Sequence, residues 1–121
     1  MLNVAPGQAP PPTPPELDPR RLPTIDVLPP PGDGAFHAAV TAVPAAVAAR
    51  STWRPGCPVG LDDLRYVTVT FWGFDGEPHT GEMLVHRSAA EAVAGVFRRL
   101  FEDRFPIEDM HVTTAAELDA P

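Results

Sequence analysis

Proline placement limits which part of this chain can fold. Eleven of the seventeen prolines lie within the first 32 residues. Proline fixes the backbone angle φ near −65° and lacks an N–H donor, so this stretch can neither start a helix nor lie inside a sheet. We predict a disordered Pro-rich spacer over residues 1–34. The rest of the chain, 35–121, is long enough for one small domain with one hydrophobic core.

The clearest extended segment predicts an antiparallel hairpin. Residues 66–74 are rich in β-branched and aromatic side chains, which favour a strand. The turn pair Asp75-Gly76 follows, and a second strand is expected over 80–86. Pro78 cannot donate to a strand ladder, so we expect a connecting loop of several residues.

One main helix is expected to pack on this hairpin. Ser88 and Glu91 have the spacing of a capping box, and the helix is predicted to continue to about Arg104. Its predicted apolar stripe consists of Ala89, Val93, Val96, Phe97, Leu100 and Phe101. Shorter predicted elements are a helix over 45–50, a helical turn over 61–64, and the start of a strand at Ile107, Met110 and Val112. The predicted fold class is therefore α+β.

Charge and hydropathy exclude several classes of protein. The formal net charge of −7 disfavours a general nucleic-acid-binding protein, which normally has a basic face. No apolar run approaches the ~20 residues of a membrane-spanning helix. Met1 is not followed by the charged and apolar regions of a secretory signal peptide, so the sequence shows no export signal.

The histidines do not predict a metal site. The one compact candidate set is His79, Glu82 and His86, which would share a face on a helix. On the predicted strand, His79 faces away from the other two. Glu82 and His86, four residues apart on one strand face, would lie ~13 Å from each other, too far for a tetrahedral zinc site. We predict no metal ligand and no catalytic residue among these side chains.

Cys57 is the one cysteine of the chain and leaves three hypotheses open. It could act as a nucleophile with a histidine as its base, it could be a structural thiol, or it could be half of a disulfide with a distant partner. Its neighbours Gly56 and Pro58 do not place it at the start of a helix, where its pKa would be lowered. A cysteine-dependent hydrolase is therefore the least favoured hypothesis.

Five short runs, in order along the chain, resemble the amino-terminal portion of bacterial M15-type metallopeptidases, which are D-alanyl-D-alanine carboxypeptidase-like zinc enzymes. The resemblance covers about residues 36–119. The five runs are Thr52–Val59, Leu64–Val67, Phe71–Gly76, His79–Glu82 and Phe101–Ile107.

The resemblance implies a zinc-dependent hydrolase of peptidoglycan peptides with the Hedgehog/DD-peptidase fold, here incomplete. In that family two His and one Asp hold the zinc, in a Ser-x-His-x-x-Gly-x-Ala-x-Asp-like motif and a later His, with a nearby Glu as general base. None of those motifs occurs in this sequence, and they are expected to follow it. The resemblance also implies a disulfide partner for Cys57 outside this chain, and it gives His79 and Glu82 no known role.

Two functions follow as expectations. The first is the amino-terminal fragment of a cell-wall peptidase, inactive alone because the metal-binding and catalytic segment is missing. It contains no cofactor itself, although zinc is implied for the complete enzyme, and the resemblance favours a location in the cell envelope. The alternative is a small noncatalytic binding domain on a Pro-rich stalk.

Overall fold

The structure is a computed structural model that describes residues 26–118, and the side chains of Ala115 and Leu118 are excluded from the description. It confirms the α+β class. The strands are β1 (Ala38–Thr41), β2 (Leu64–Gly73), β3 (Pro78–His86) and β4 (Pro106–Ile107). The helices are α1 (Ala45–Arg50), α2 (Ala90–Glu102) and α3 (Ala115–Leu118), with a single 3-10 turn at Leu61–Asp63. Of the predicted spacer, 1–25 lies outside the described residues and 26–34 forms neither helix nor strand.

Strand β2 is the centre of the sheet. It pairs antiparallel with β3 from Leu64, opposite His86, to Trp72, opposite Pro78. Along its other edge it pairs antiparallel with β1 and then, at Trp72, parallel with the short β4. The predicted hairpin is confirmed, with a loop of residues 74–77.

Strand periodicity places the core on one face of the sheet. Val67, Val69 and Phe71 of β2 alternate with polar residues and are almost fully buried. Ala90 of α2 packs against the two valines, and partly buried side chains from β1, β3 and α2 surround this cluster. The helix therefore covers the face of the sheet that carries the odd-numbered residues of β2.

Two details of α2 differ from the prediction. The capping box is wrong: the first helical turn begins with the Val93 N–H donating to the Ala89 carbonyl, so Ala89 is the cap residue and makes no side-chain bond. Ser88 lies one residue too early, and its hydroxyl instead pairs with His86 Nδ1 at 2.8 Å. The predicted stripe is also rotated: Val96 is exposed, while Ala90 and Ala94 are buried.

The segment after α2 follows a different course from the predicted strand. Only Pro106–Ile107 pairs as a strand. The chain then runs along the free edge of β3, where the Glu82 N–H donates to the Met110 carbonyl at 3.2 Å. Val112 is buried, but it lies outside any strand. Among residues 26–118, none of the helices has the length and apolar character that a bilayer crossing needs.

Candidate functional site

The buried charged residues of the hairpin are His79 and Glu82, both on β3. His79 is 5% exposed and Glu82 is 2% exposed. Because they are three positions apart on a strand, their side chains lie on opposite faces of the sheet. His79 stacks on Phe71, whereas Glu82 meets Tyr66. The predicted separation of the two residues is confirmed.

The Glu82 carboxylate accepts hydrogen bonds from three different parts of the chain. Its Oε2 accepts hydrogen bonds from Arg50 Nη2, at 2.5 Å, and from the Tyr66 hydroxyl. Its Oε1 accepts the Val112 N–H at 3.1 Å. Arg50 is the last residue of α1, Tyr66 lies on β2, and Val112 follows β4. One carboxylate therefore fixes α1 and the 110–114 segment to the sheet.

The protonation states in this cluster follow from its geometry. Burial disfavours the charged form of Glu82, but hydrogen bonds from Arg50 and Tyr66 outweigh burial and hold the pKa of the carboxyl below its ordinary value. The hydrogen bond to Glu82 raises the pKa of Arg50. Burial, followed by the bond to Glu82, raises the pKa of Tyr66 to about 12. Glu82 is thus an anion between two groups that stay protonated, and its two oxygens already accept three hydrogen bonds.

His79 is held between two carboxylates. Its Nδ1 lies 2.7 Å from Asp26 Oδ1, and its Nε2 lies 2.8 Å from Asp75 Oδ2. The ring stacks on Phe71, with the centroids 5.5 Å apart and the planes at 25°. Asp75 belongs to the hairpin loop, whereas Asp26 comes from the start of the described chain, so His79 attaches residues before β1 to the hairpin.

The surroundings of His79 favour an imidazolium. Burial lowers the pKa of His79, but hydrogen bonds to Asp75 and Asp26 outweigh burial, and the pKa is raised overall. Burial raises the pKa of Asp75, yet the bond to His79 leaves it lowered overall. An imidazole that donates from both nitrogens has no lone pair left for a metal ion or for a substrate proton.

Two glycines permit the close packing around these side chains. A Cβ added at Gly73 would lie 2.6 Å from both Asp75 Oδ1 and His79 Cδ2, closer than real Cβ contacts. A Cβ added at Gly81 would lie 2.7 Å from Met110 Cβ. Both glycines belong to runs that carry the family resemblance, and their local role is close approach of neighbouring side chains.

A second histidine with two acidic partners lies near the end of the described chain. His111 Nδ1 is 2.7 Å from Asp109 Oδ2, and His111 Nε2 is 2.5 Å from Glu117 Oε2. Glu117 also forms a capping box with Thr114 at the start of α3. The bond to Glu117 raises the pKa of His111 despite its burial, and the same bond lowers the pKa of Glu117 to about 2. This histidine too has both nitrogens committed.

Within the part of the chain that the structure describes, no group of three or more His, Cys, Asp or Glu side chains is arranged so that it could hold a metal ion. The residues of the candidate set His79, Glu82 and His86 are separated: His86 bonds to Ser88 and is exposed. The zinc implied by the resemblance therefore does not fit these residues.

Cys57 lies in a surface turn. Its N–H donates to the Arg54 carbonyl, and the Arg54 N–H lies 3.4 Å from its sulfur. Gly56 has φ of 96°, as expected for the position after Pro55 in a type II turn. The thiol is exposed and free within residues 26–118, where it bonds to no imidazole. Its disulfide with a cysteine outside this chain stays a prediction.

Sequence reasoning missed the partners that give His79 and Glu82 their role. The contact of Tyr66 with Glu82 could have been predicted from the sequence. A four-residue hairpin loop places Thr68 opposite Glu82, and Tyr66 then lies next to Glu82 on the same face. Asp26 and Arg50 carried no such signal, because their contacts depend on how distant segments pack.

Comparison of this chain with models of known protein families, with curated proteins and with solved structures finds no match in any of the three.

Proposed function

We propose that this chain is the amino-terminal part of a zinc-dependent cell-wall peptidase of the M15 type, similar to D-alanyl-D-alanine carboxypeptidases, and that alone it is inactive. The observation that carries the proposal is the local role of the residues in the resembling runs. His79 and Glu82 are buried and hydrogen-bonded to segments far away in the sequence, and Gly73 and Gly81 are required for close packing. Residues that a fold needs in this way are those a truncated catalytic domain would share with its complete relatives.

Under this proposal, the zinc ligands and the catalytic residues belong to a segment other than residues 26–118. The described residues supply the sheet, α2 and the buried charged residues His79 and Glu82 with their partners, and no group among these residues is arranged so that it could hold a metal ion. In the complete enzyme, zinc would be held by His and Asp side chains that follow Pro121. The finer fold assignment, to the Hedgehog/DD-peptidase type, is part of the same proposal.

Reading the gene past the Pro121 codon tests the family assignment directly. We expect an open frame that encodes a Ser-x-His-x-x-Gly-x-Ala-x-Asp-like motif and a later His. A stop codon, or a continuing frame without those ligands, would overturn the proposal and leave the noncatalytic binding domain as the function to test.

Zinc content and D-alanine release test the inactivity of this chain. The purified chain is dialysed against zinc, washed and analysed for bound metal, and it is then incubated with a peptide ending in D-Ala-D-Ala. We expect neither stoichiometric zinc nor D-alanine release. Retained zinc together with turnover would show that the described residues hold a catalytic site after all.

A further inference from the structure

Strand β1 pairs with β2 along one edge and has an outer edge on its other side. The Thr70 N–H donates to the His37 carbonyl, and because antiparallel pairing alternates, the N–H and C=O of Ala38 and Val40 point away from β2. Among residues 26–118, no strand pairs with this edge. The strand contains neither a charged residue nor a proline, the usual features that protect an edge from pairing.

The outward groups of β1 match those of a second β1. In an antiparallel arrangement related by a two-fold axis at Ala39, Ala38 of each copy lies opposite Val40 of the other. Each such pair exchanges two backbone hydrogen bonds, so the register satisfies every outward group of Ala38 and Val40. The two-fold axis is perpendicular to the sheet, which keeps both copies of α2 on the same face.

Beside this edge, a cleft of about 390 Å³ separates β1 from α2. Ala38, Val40, Ala94 and Gly95 line it. A Cβ added at Gly95 would meet no atom within 4 Å, so the cleft is open on the side of the helix that faces away from the core.

Opposite charges lie at the two ends of the cleft. Arg98 stacks over the Phe36 ring, 4.9 Å from its centroid, next to the start of β1. Glu91 lines the same cleft seven residues earlier, which is about 10.5 Å away along the helix axis. This separation is nearly two helical turns, whereas ion pairs within a helix join residues three or four positions apart.

We propose that a second copy of this chain docks on the β1 edge, continuing the sheet across a two-fold axis and setting the two α2 helices antiparallel beside each other. Under this symmetry Glu91 faces Arg98 of the second copy, and this happens twice. The midpoint between positions 91 and 98 falls between Ala94 and Gly95, the small residues that line the cleft. Unlike charges at both ends select this register, since a parallel arrangement of the helices would set like charges together. The inference does not depend on the proposed function.

Sedimentation equilibrium of the chain from micromolar to millimolar concentration tests the proposal. We expect reversible association from 13.0 kDa to twice that mass, weakened by salt. The Ala38→Pro variant removes an outward N–H at the first residue of β1, where proline leaves the β2 ladder intact, and it should abolish association.

A charge exchange identifies the register. Arg98→Glu, and separately Glu91→Arg, turn two attractive contacts into repulsive ones and should raise the dissociation constant about tenfold each. The double variant Glu91→Arg/Arg98→Glu should restore wild-type association. Arg99→Glu is the matched control, because it changes the charge of α2 equally outside the cleft, and circular dichroism verifies that every variant is folded.

Three results would overturn the proposal. They are a wild-type chain that stays monomeric at millimolar concentration, a dimer that Ala38→Pro leaves unchanged, and a double variant that associates no better than the single ones. The first would show that the β1 edge does not pair with a second copy, and the second that the dimer uses another surface.

Discussion

Replacing Glu82 by Gln tests whether one buried carboxylate holds the sheet, α1 and the 110–114 segment together. The substitution keeps the size of the side chain and removes its charge. A glutamine amide can still accept the Val112 N–H through its oxygen, but its NH₂ group then faces Arg50, which can only donate. The charge-assisted bond from Arg50 is therefore lost and replaced by a contact between donors.

The expected loss in the free energy of unfolding is about 3 kcal/mol. Breaking a buried ion pair by removing one partner costs roughly 3–5 kcal/mol. The lower end applies here because Arg50 is 33% exposed and can turn to water, whereas the Glu82 side chain is fully buried. For a domain of this size, such a loss lowers the melting temperature by about 15 °C.

Urea unfolding followed by circular dichroism measures the effect, with Glu77→Gln as the matched control. Glu77 is exposed in the hairpin loop, so the same chemical change there should alter stability by less than about 0.5 kcal/mol. A Glu82→Gln variant that is as stable as Glu77→Gln would refute the reasoning.

The pH dependence of the difference gives a second test. Because the folded pKa of Glu82 lies below its ordinary value of 4.5, its contribution is fully present above that pH and is lost as pH falls through the folded pKa. The difference in stability between wild type and Glu82→Gln should therefore be constant from pH 7 to about pH 5 and shrink below it. A difference that stays constant down to acid unfolding would contradict the assigned role of the carboxylate.

Two further predictions concern the opposite face of β3 and the glycines around it. The folded pKa of His79 is raised above 6.5, so the stabilisation from its charged form is present below pH 6.5 and is lost as pH rises through the folded pKa. The free energies of unfolding of wild type and His79→Gln in urea should therefore differ more at pH 6 than at pH 9. An equal difference at both pH values would exclude an imidazolium between Asp26 and Asp75. Gly73→Ala should destabilise the fold by about 1–3 kcal/mol because the new Cβ meets atoms at 2.6 Å. Gly95→Ala, where the new Cβ enters open space on a helix, should stabilise the fold by about 0.5–1 kcal/mol. Equal effects of the two substitutions in thermal melts would mean that the close contact at Gly73 is absent.

Local patterns in the sequence were sufficient for most of the elements. The alternation of β-branched residues around Val67 and Val69 gave β2, and the pair Asp75-Gly76 gave the hairpin. The predicted capping box at Ser88 is absent from the structure. The Ser88 hydroxyl pairs with His86 at the end of β3, and the helix begins one residue later than the motif requires.

The distant partners of Glu82 and His79 could not be predicted from such patterns. Arg50 is 32 positions from Glu82, and Asp26 is 53 positions from His79. Contacts of this separation depend on the path of the whole chain, which no short motif encodes. Asp26 also lies within the segment predicted as a spacer from its high proline content, and that prediction gave no indication that Asp26 pairs with the buried His79.

Whether His79 and Glu82 can meet depends on the element that carries them, because their three-residue spacing has opposite consequences on a helix and on a strand. On a helix, residues three apart share a face, and a His and a Glu so placed can converge on one ion or one substrate. On β3 the same spacing sends them to opposite faces, where each must find its own counter-charge because a buried ion without one is strongly unfavourable. The imidazole therefore draws in carboxylates from the hairpin loop and from the chain before β1, and the carboxylate draws in a guanidinium from α1 and a backbone N–H from beyond β4. A pair whose spacing would suit one shared ion on a helix thus joins four segments of the chain to one strand.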